Sequence, residues 1–588
     1  MRVFGDRILR TSGADVLARL RDDLRRVAAL PPGLARHSLL VALLIDAGML
    51  AQALADARFE ATGIDAADGD DDAMALTSAL ARCCTRSWTT GFRARGRLPL
   101  ALLARCEARR DDRPLSLKVP EGYAFYALYP ELHAEAALRC RSSAPRWRVV
   151  GLRSIGTSLA AMVAAGLGAP PPRSLRPVGH PFDRQIVATA VRRVDRGTAF
   201  AIVDEGPGLS GSSMAAAARW LRAAGVPTDR LHFFPGHAGA PGPQADAAVR
   251  ALWATIPGRH RGFDAGILQA PAVAHRLATW VEGLVGPLLA PLKAIGGGGW
   301  RGLQARADGA PVPPAHPWQE RLKYLAFTRE GTWLVKFAGL GRAGERAFAR
   351  ARALGAAGFT PAPAGWCHGF LVERWRDDLR PLPARLPAAA RAGLIGRVGD
   401  YLAFRARNFP ARADDGASVE VLLAMTRDHA EAALGAGPGG RCTALERAFR
   451  DRAPALRRVE TDNRMHRWEW LAGASLLLKT DAVDHAAAHD LVGCQDIAWD
   501  VAGAQVELGL TPAEVGTLVE RVRRQGVAVE ASLVGLLRPC YLAFQWGHFA
   551  LAVESAGSAG EADRKALVTA RERYREALRT ALRAGPGG

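Results

Sequence analysis

The stretch from Phe200 to Met214 reads FAIVDEGPGLSGSSM. An apolar run ends on two adjacent acids, and a loop made almost wholly of glycine, serine and proline follows. A plain turn needs one or two such residues, so the excess has another cause. Ala201 to Val203 read as a buried strand. Asp204 and Glu205 then fall at its carboxyl end, where ligands bind in open α/β sheets. Ser210-Gly211-Ser212-Ser213 opens an alanine-rich helix from Met214 to Ala224. Free backbone N–H groups at a helix start, among small residues and hydroxyls, form an anion cradle. Two carboxylates beside such a cradle suit one ligand: the acids accept from two ribose hydroxyls, and the loop holds a 5′-phosphate.

A second segment, RVVGLRSIGTSLAAMVAAGLGAP (148–170), reads as another strand, tight turn and helix, with Leu159, Met162, Val163 and Gly166 on one face. In this order the two segments resemble the phosphoribosyl-pyrophosphate signature of type I phosphoribosyltransferases: apolar strand, two acids, short loop, Thr/Ser-Gly-x-Thr/Ser. The resemblance implies that Asp204 and Glu205 hold the ribose and serve catalysis. It implies that Ser210, Gly211, Ser212 and Ser213 hold the 5′-phosphate, and that the turn Arg153-Ser154-Ile155-Gly156 binds pyrophosphate through its backbone. One departure is the loop Gly206–Leu209, about one residue longer than the family spacing. Between the two lies RPVGHPFDR (176–184), where such enzymes carry a closing loop, with Arg176 or Arg184 as its charge. The tyrosine-rich PEGYAFYALYPELHAEAA (120–137) reads either as part of an acceptor pocket or as an aromatic core element. HFFPGHAGAPGPQA (232–245) resembles a segment of phosphoribosyltransferase-like proteins from bacterial tellurium- and stress-response gene clusters.

Further on, RLKYLAFTREGTWLVKFAGL reads as a β-hairpin turning near Glu330-Gly331. Only six residues of the chain are lysine, which makes Lys336 on a strand informative. Glu345 follows in the helical GERAFARARALG, and GFLVERW (369–375) reads as a strand leading to a hinge. Downstream come DNRMHRWEW (462–470), LLLKTDAVDH (476–485) and QDIAWDVAG (495–503). Together these resemble aminoglycoside- and choline-kinase-like phosphotransferases over about residues 320–580. The resemblance implies a Lys336–Glu345 pair on ATP, a catalytic Asp462 that accepts the substrate proton, a metal-binding Asp481 or Asp484, and a structural Asp500. The family expects His-x-Asp and an asparagine five residues after the aspartate. Here Glu460 and Thr461 precede Asp462, and position 467 is arginine. Asn463, His466 or Glu469 stand near enough to substitute. His485 and His489 read as metal ligands or as ordinary core or solvated histidines.

The remaining composition bounds the reading. The chain has 588 residues, 49 % of them apolar, which suits several domains with real cores. The net charge of +20 comes mostly from scattered arginine, as in a GC-rich genome. No basic stretch carries interleaved aromatics, which argues against a nucleic-acid partner. Eight dispersed cysteines without C-x-x-C suit reduced thiols in a cytoplasm and argue against a zinc site built on them. The N-terminus has no signal-peptide core. SLLVALLIDAGMLAQALADA, broken by Asp46 and Gln52, reads as a buried helix and not a membrane span. The acidic run DAADGDDD (65–72) reads as a solvated loop, and Thr511-Pro-Ala-Glu514 as a capping box.

The expected architecture is α/β. A helical region (1–110) precedes a phosphoribosyltransferase-like parallel sheet with flanking helices (111–293). A Gly/Pro-rich linker (294–317) leads to a bilobal α+β kinase-like domain (318–588). The expected function is bifunctional: phosphoribosyl transfer, plus phosphorylation of a small, nucleoside-like molecule by ATP with Mg²⁺. The alternative is a non-catalytic phosphoribosyl-nucleotide sensor with a degenerate kinase domain.

Overall fold

The computed structural model describes residues 8–65, 71–109, 113–189, 197–303, 312–316, 320–435, 437, 439–450, 456–474, 476–488, 492–557 and 560–584. The chain folds into mixed α/β layers. The first region is helical, with Gly13–Ala29, Leu34–Thr62, Asp72–Thr89 and Leu100–Ala108. Its opening strand, Ile8–Ser12, pairs antiparallel with Pro114–Lys118. Leu34–Thr62 has the length and composition to cross a membrane, but 94 % of its most apolar window is buried within the protein. It packs on Asp72–Thr89 and on Gly156–Leu167, so apolar side chains on every face find a protein neighbour.

A four-stranded parallel sheet follows, in the order Arg173–Leu175, Arg146–Leu152, Thr198–Val203, Leu231–Phe234. Thr198–Val203 is central and buried at every residue, which is why it reads as an unbroken apolar run. The helices Gly156–Leu167 and Ser212–Ala223 connect the strands.

A five-stranded antiparallel sheet comes next, ordered Pro363–Cys367, Phe370–Arg374, Gly331–Phe337, Lys323–Thr328, Lys293–Ala294. The helix Gly341–Ala356 lies beside it, and the rest of the chain is mainly helical up to Glu561–Ala584. Thr511 and Glu514 form the expected capping box at the start of Pro512–Arg524.

The packing crosses the sequence units. Val16, Leu40, Leu159, Val203, Val335 and Val372 belong to one continuous core that joins the first helices, the parallel sheet and the antiparallel sheet. Tyr401, Met465, Trp499 and Tyr541 belong to a second core in the helical part. The described part of the Gly/Pro-rich segment 294–317 is anchored rather than loose. Ile295 is buried, Trp300 Nε1 donates to Glu320 Oε1 at 2.8 Å, and Arg301 pairs with Asp563 at 2.6 Å.

The acidic run corrects another expectation. Asp65 is buried and pairs with Arg153 at 2.5 Å. Asp71 caps the helix Asp72–Thr89 by accepting from Met74 N at 3.1 Å, and Asp72 pairs with Arg109 at 3.0 Å. These aspartates sit opposite arginines brought near only by tertiary folding. Residues 66–70 of the run lie outside the described residues.

Candidate active site

Lys336 sits on the central strand of the antiparallel sheet with 4 % of its surface exposed. Its ammonium reaches two acids: it contacts Asp481 Oδ1 and lies 3.2 Å from Asp484 Oδ1. Arg321 pairs with Asp484 Oδ2 at 2.9 Å, and Lys323 lies 3.8 Å from Asp481 Oδ2. Burial alone would lower the lysine pKa, but the two carboxylates more than offset it and hold Lys336 charged. Burial would likewise raise Asp481 and Asp484, and the facing cations, Lys336 first, more than offset it and lower both. Asp481 has φ +54°, a left-handed conformation that costs a non-glycine residue energy and recurs at functional sites.

The expected Lys336–Glu345 pair does not form. Arg342 of the same helix is pinned to Asp23 at 2.7 Å and to Asp46 at 2.5 Å. Gly341–Ala356 is therefore docked on the first helices. It turns Arg350 inward instead, onto Glu460 at 2.7 Å and the Val483 carbonyl. Asp481 and Asp484 take the place expected of Glu345.

Asp462 lies in a loop fixed from below by Asp500, whose carboxylate accepts from the backbone N–H of Asp462 at 2.7 Å and of Asn463 at 2.9 Å. Burial pushes the Asp500 pKa up to about 6. Arg405 also binds this loop, with Nη2 donating to the Glu460 carbonyl at 2.6 Å and Nη1 to the Ala482 carbonyl at 2.8 Å. Asp462 itself does not open onto the cavity described below. It is fully buried. Its carboxylate accepts from Tyr401 OH at 2.5 Å, faces Lys479 Nζ at 3.3 Å, and lies 3.1 Å from His485 Nδ1. The expectation that it receives a substrate proton directly is corrected: Lys479 and Tyr401 enclose it.

His485 carries Asp462 to the surface of the site. With Nδ1 turned to Asp462, its Nε2 lies 3.9 Å from Asp481 and 4.0 Å from Asp484. Of the proposed substitutes, Asn463 is spent on the Gly493 carbonyl at 2.9 Å, and Glu469 pairs with Lys479 at 2.7 Å. His466 stacks on Trp468 and lies 3.3 Å from Glu507. His489 lies outside the described residues.

These groups line a cavity of about 350 Å³ between the antiparallel sheet and the helical part. Lys336, Asp481, Asp484, His485 and Glu469 form one wall, and Trp375 lies on the connection beyond strand Phe370–Arg374. Glu373 also faces it, with its pKa pushed up to about 7 by burial. Phe125 and Tyr126 reach the same cavity from the tyrosine-rich segment. Arg321 lies over the Phe125 ring at 4.8 Å and donates to the Ala124 carbonyl at 2.7 Å. Tyr123 and Tyr129 of that segment are instead core residues, bonded to Ser158 Oγ at 2.8 Å and the His368 carbonyl at 2.7 Å.

The parallel sheet carries the other predicted residues. Asp204 and Glu205 follow strand Thr198–Val203 and are half-buried. Burial pushes Asp204 up to about 6. Burial, with Asp204 and Glu121 nearby, pushes Glu205 up to about 8. The two signature turns meet here, since a Cβ on Gly156 would lie 2.7 Å from the Val203 carbonyl. Thr157 Oγ1, buried at this turn, has no hydrogen-bond partner. Gly211 has φ +63°, and a Cβ there would lie 2.6 Å from Trp253 Nε1. Ser210 Oγ donates to Ser212 Oγ at 2.9 Å, which donates to the Pro181 carbonyl at 3.0 Å. Ser213 is half-buried on the first turn of the same helix.

The arginines depart from expectation. Arg153 pairs with Asp56 at 2.8 Å as well as Asp65, and Arg176 also binds Asp56. Both are held by the first region, away from the acid pair. The Arg153 backbone N–H beside Ser154 donates to the Leu175 carbonyl at 2.9 Å. Arg184 donates to the Gly179 carbonyl at 2.6 Å within the exposed hairpin Pro177–His180/Asp183–Ile186.

No family model matches this chain, and no curated protein matches it. Solved structures do align with about half of it. The choline kinase LicA from Streptococcus pneumoniae has 15 % identity over 44 % of this chain and 89 % of that one, at a TM-score of 0.32. A choline/ethanolamine kinase family protein from Mesorhizobium loti has 14 % identity over 50 % of this chain and 94 % of that one, at 0.31. A spectinomycin phosphotransferase, solved with ADP and spectinomycin, has 11 % identity over 44 % and 89 %, at 0.31. Likenesses at this level carry no weight for function.

Proposed function

We propose that the cavity around Lys336 transfers a phosphoryl group from ATP to a hydroxyl of a small molecule. The observation that carries this reading is a buried strand lysine bound to two aspartates of a distant loop, in the wall of a cavity between the antiparallel sheet and the helical part. Lys336, Lys323 and Arg321 supply fixed positive charge for phosphate oxygens. Asp481 and Asp484 offer hard oxygen ligands close together, which fits a magnesium ion. Such an ion neutralises charge on the phosphates when bound. His485 Nε2 takes the proton of the attacking hydroxyl. Asp462, held on Nδ1, orients the ring and stabilises the imidazolium.

A second reading concerns the parallel sheet. Asp204 and Glu205 stand at the strand end with little cationic compensation, and the Thr157 hydroxyl of the adjoining turn is unpartnered. That pattern supports a ligand with several hydroxyls, such as the ribose of phosphoribosyl pyrophosphate, and a phosphoribosyl-transfer role for this half. A non-catalytic phosphoribosyl-nucleotide sensor with a degenerate kinase domain is the rival. Transfer of labelled γ-phosphate from ATP, and exchange of labelled pyrophosphate into phosphoribosyl pyrophosphate, by the full chain test the two activities separately. Tight binding of both ligands with neither reaction would favour the sensor.

A further inference from the structure

Away from both sites, three side chains from three distant parts of the chain converge on one buried point. His37 comes from the first turn of Leu34–Thr62 and Glu131 from the first turn of Pro130–Cys140. His368 comes from the tight turn joining Pro363–Cys367 to Phe370–Arg374. His37 Nε2 lies 2.8 Å, and His368 Nε2 2.7 Å, from the same oxygen, Glu131 Oε1. One ligand atom from each residue lies within 4.8 Å of the others. All three residues are buried. The walls are aromatic: Phe92 lies 4.8 Å from the His37 ring, and Tyr129 and Trp280 each 5.3 Å from the His368 ring.

The arrangement is incomplete as it stands. Glu131 Oε2 has no hydrogen-bond partner, nor has His37 Nδ1. Leaving a buried carboxylate oxygen unpaired is costly.

We propose that His37, Glu131 and His368 bind a zinc ion. Two imidazole nitrogens and a carboxylate are the donor set of this borderline divalent metal. The ion would use both Nε2 lone pairs, neutralise the carboxylate and engage the unpaired Oε2. Ser38 Oγ lies 2.9 Å from His368 Nδ1 and provides the partner that fixes the ring's tautomer. Tyr129 OH donates to the His368 carbonyl at 2.7 Å and fixes the turn. Because the ligands come from the first helical region, the parallel-sheet region and the antiparallel sheet, zinc at this point fastens all three.

The test is elemental analysis of the full chain purified from zinc-supplemented cells, followed by mild chelation and titration with Co²⁺. The expected result is one zinc per chain, and after chelation a visible cobalt spectrum that one equivalent of zinc abolishes. His368→Gln and Glu131→Gln lose that equivalent, while Asp481→Asn, which alters only the other carboxylate–histidine cluster, keeps it. A wild-type chain that emerges without zinc and gains no cobalt spectrum with excess metal overturns the proposal. So does zinc lost on Asp481→Asn but retained on His368→Gln. If His368→Gln and Glu131→Gln do not fold, the wild-type zinc content and the Asp481→Asn variant still decide the question.

Discussion

Asp462 and His485 form a carboxylate–imidazole pair, with Oδ1 3.1 Å from Nδ1 and only the imidazole facing the cavity. In the proposed reaction the aspartate acts through the histidine. His485→Gln is expected to lower phosphoryl transfer on the order of 10²-fold or more, the usual worth of a general base, with ATP affinity little changed. Asp462→Asn should produce a smaller loss in the same direction. Single-turnover transfer from ATP, with nucleotide affinity measured separately, checks both. Unchanged turnover in His485→Gln would remove the histidine from the mechanism.

Lys336 holds two acids at once, so its loss is felt twice. Lys336→Met should weaken ATP binding at least tenfold and lower the melting temperature, because breaking a buried ion cluster costs roughly 3–5 kcal/mol. Asp481→Asn should remove the magnesium dependence of ATP binding while sparing stability more than Lys336→Met does. Calorimetric titration with and without magnesium, together with thermal unfolding, separates these effects.

Glu205 sets a pH signature. Its folded pKa is raised to about 8 from the ordinary carboxyl value of 4.5 by burial, with Asp204 and Glu121 nearby. Between those values the folded state binds more protons than the unfolded one, so stability falls as pH rises. The contribution is complete below pH 4.5 and lost as pH passes 8. Glu205→Gln should therefore equal the wild type near pH 4 and become increasingly more stable than it toward pH 8. Chemical denaturation across that range measures the difference. A ribose ligand accepted by the ionised acid should bind more tightly to the wild type as pH rises over the same window.

Gly211 combines a left-handed backbone with a close approach to Trp253. Gly211→Val should destabilise the chain by about 1–3 kcal/mol and displace the start of Ser212–Ala223. Binding of ribose 5-phosphate should fall with it, while ATP binding at Lys336 stays within a few-fold. Ribose 5-phosphate affinity equal to wild type in this variant would show that the loop holds no phosphate.

Local signals made much of the fold readable. The hairpin Lys323–Thr328/Gly331–Phe337 rests on alternation and one glycine turn, and the Thr511–Glu514 box lies within four residues. Both strand–turn–helix segments of the parallel sheet carry their pattern in continuous sequence. What sequence misassigned depends on distant partners. Glu345 is three residues from Arg342, yet its role is decided by Asp23 and Asp46, more than 290 positions upstream. Asp462 looks free in sequence because Tyr401 and Lys479 close on it only in the fold. The Glu131 cluster left no local motif, since its three ligands come from helices and a turn with no shared spacing.

The shared hydrophobic core has a mechanical consequence. Val335, Phe337 and Val372 of the antiparallel sheet interlock with Leu40, Leu159 and Val203. The sheet is thus packed into the parallel-sheet half through one shared core. Phe125 and Tyr126 bring that half to the wall of the cavity, opposite the loop of Asp481 and Asp484. Severing the chain ahead of residue 318 would strip the sheet of that shared core, so a C-terminal fragment is expected to lose the proposed activity through lost packing even with Lys336, Asp481 and His485 intact.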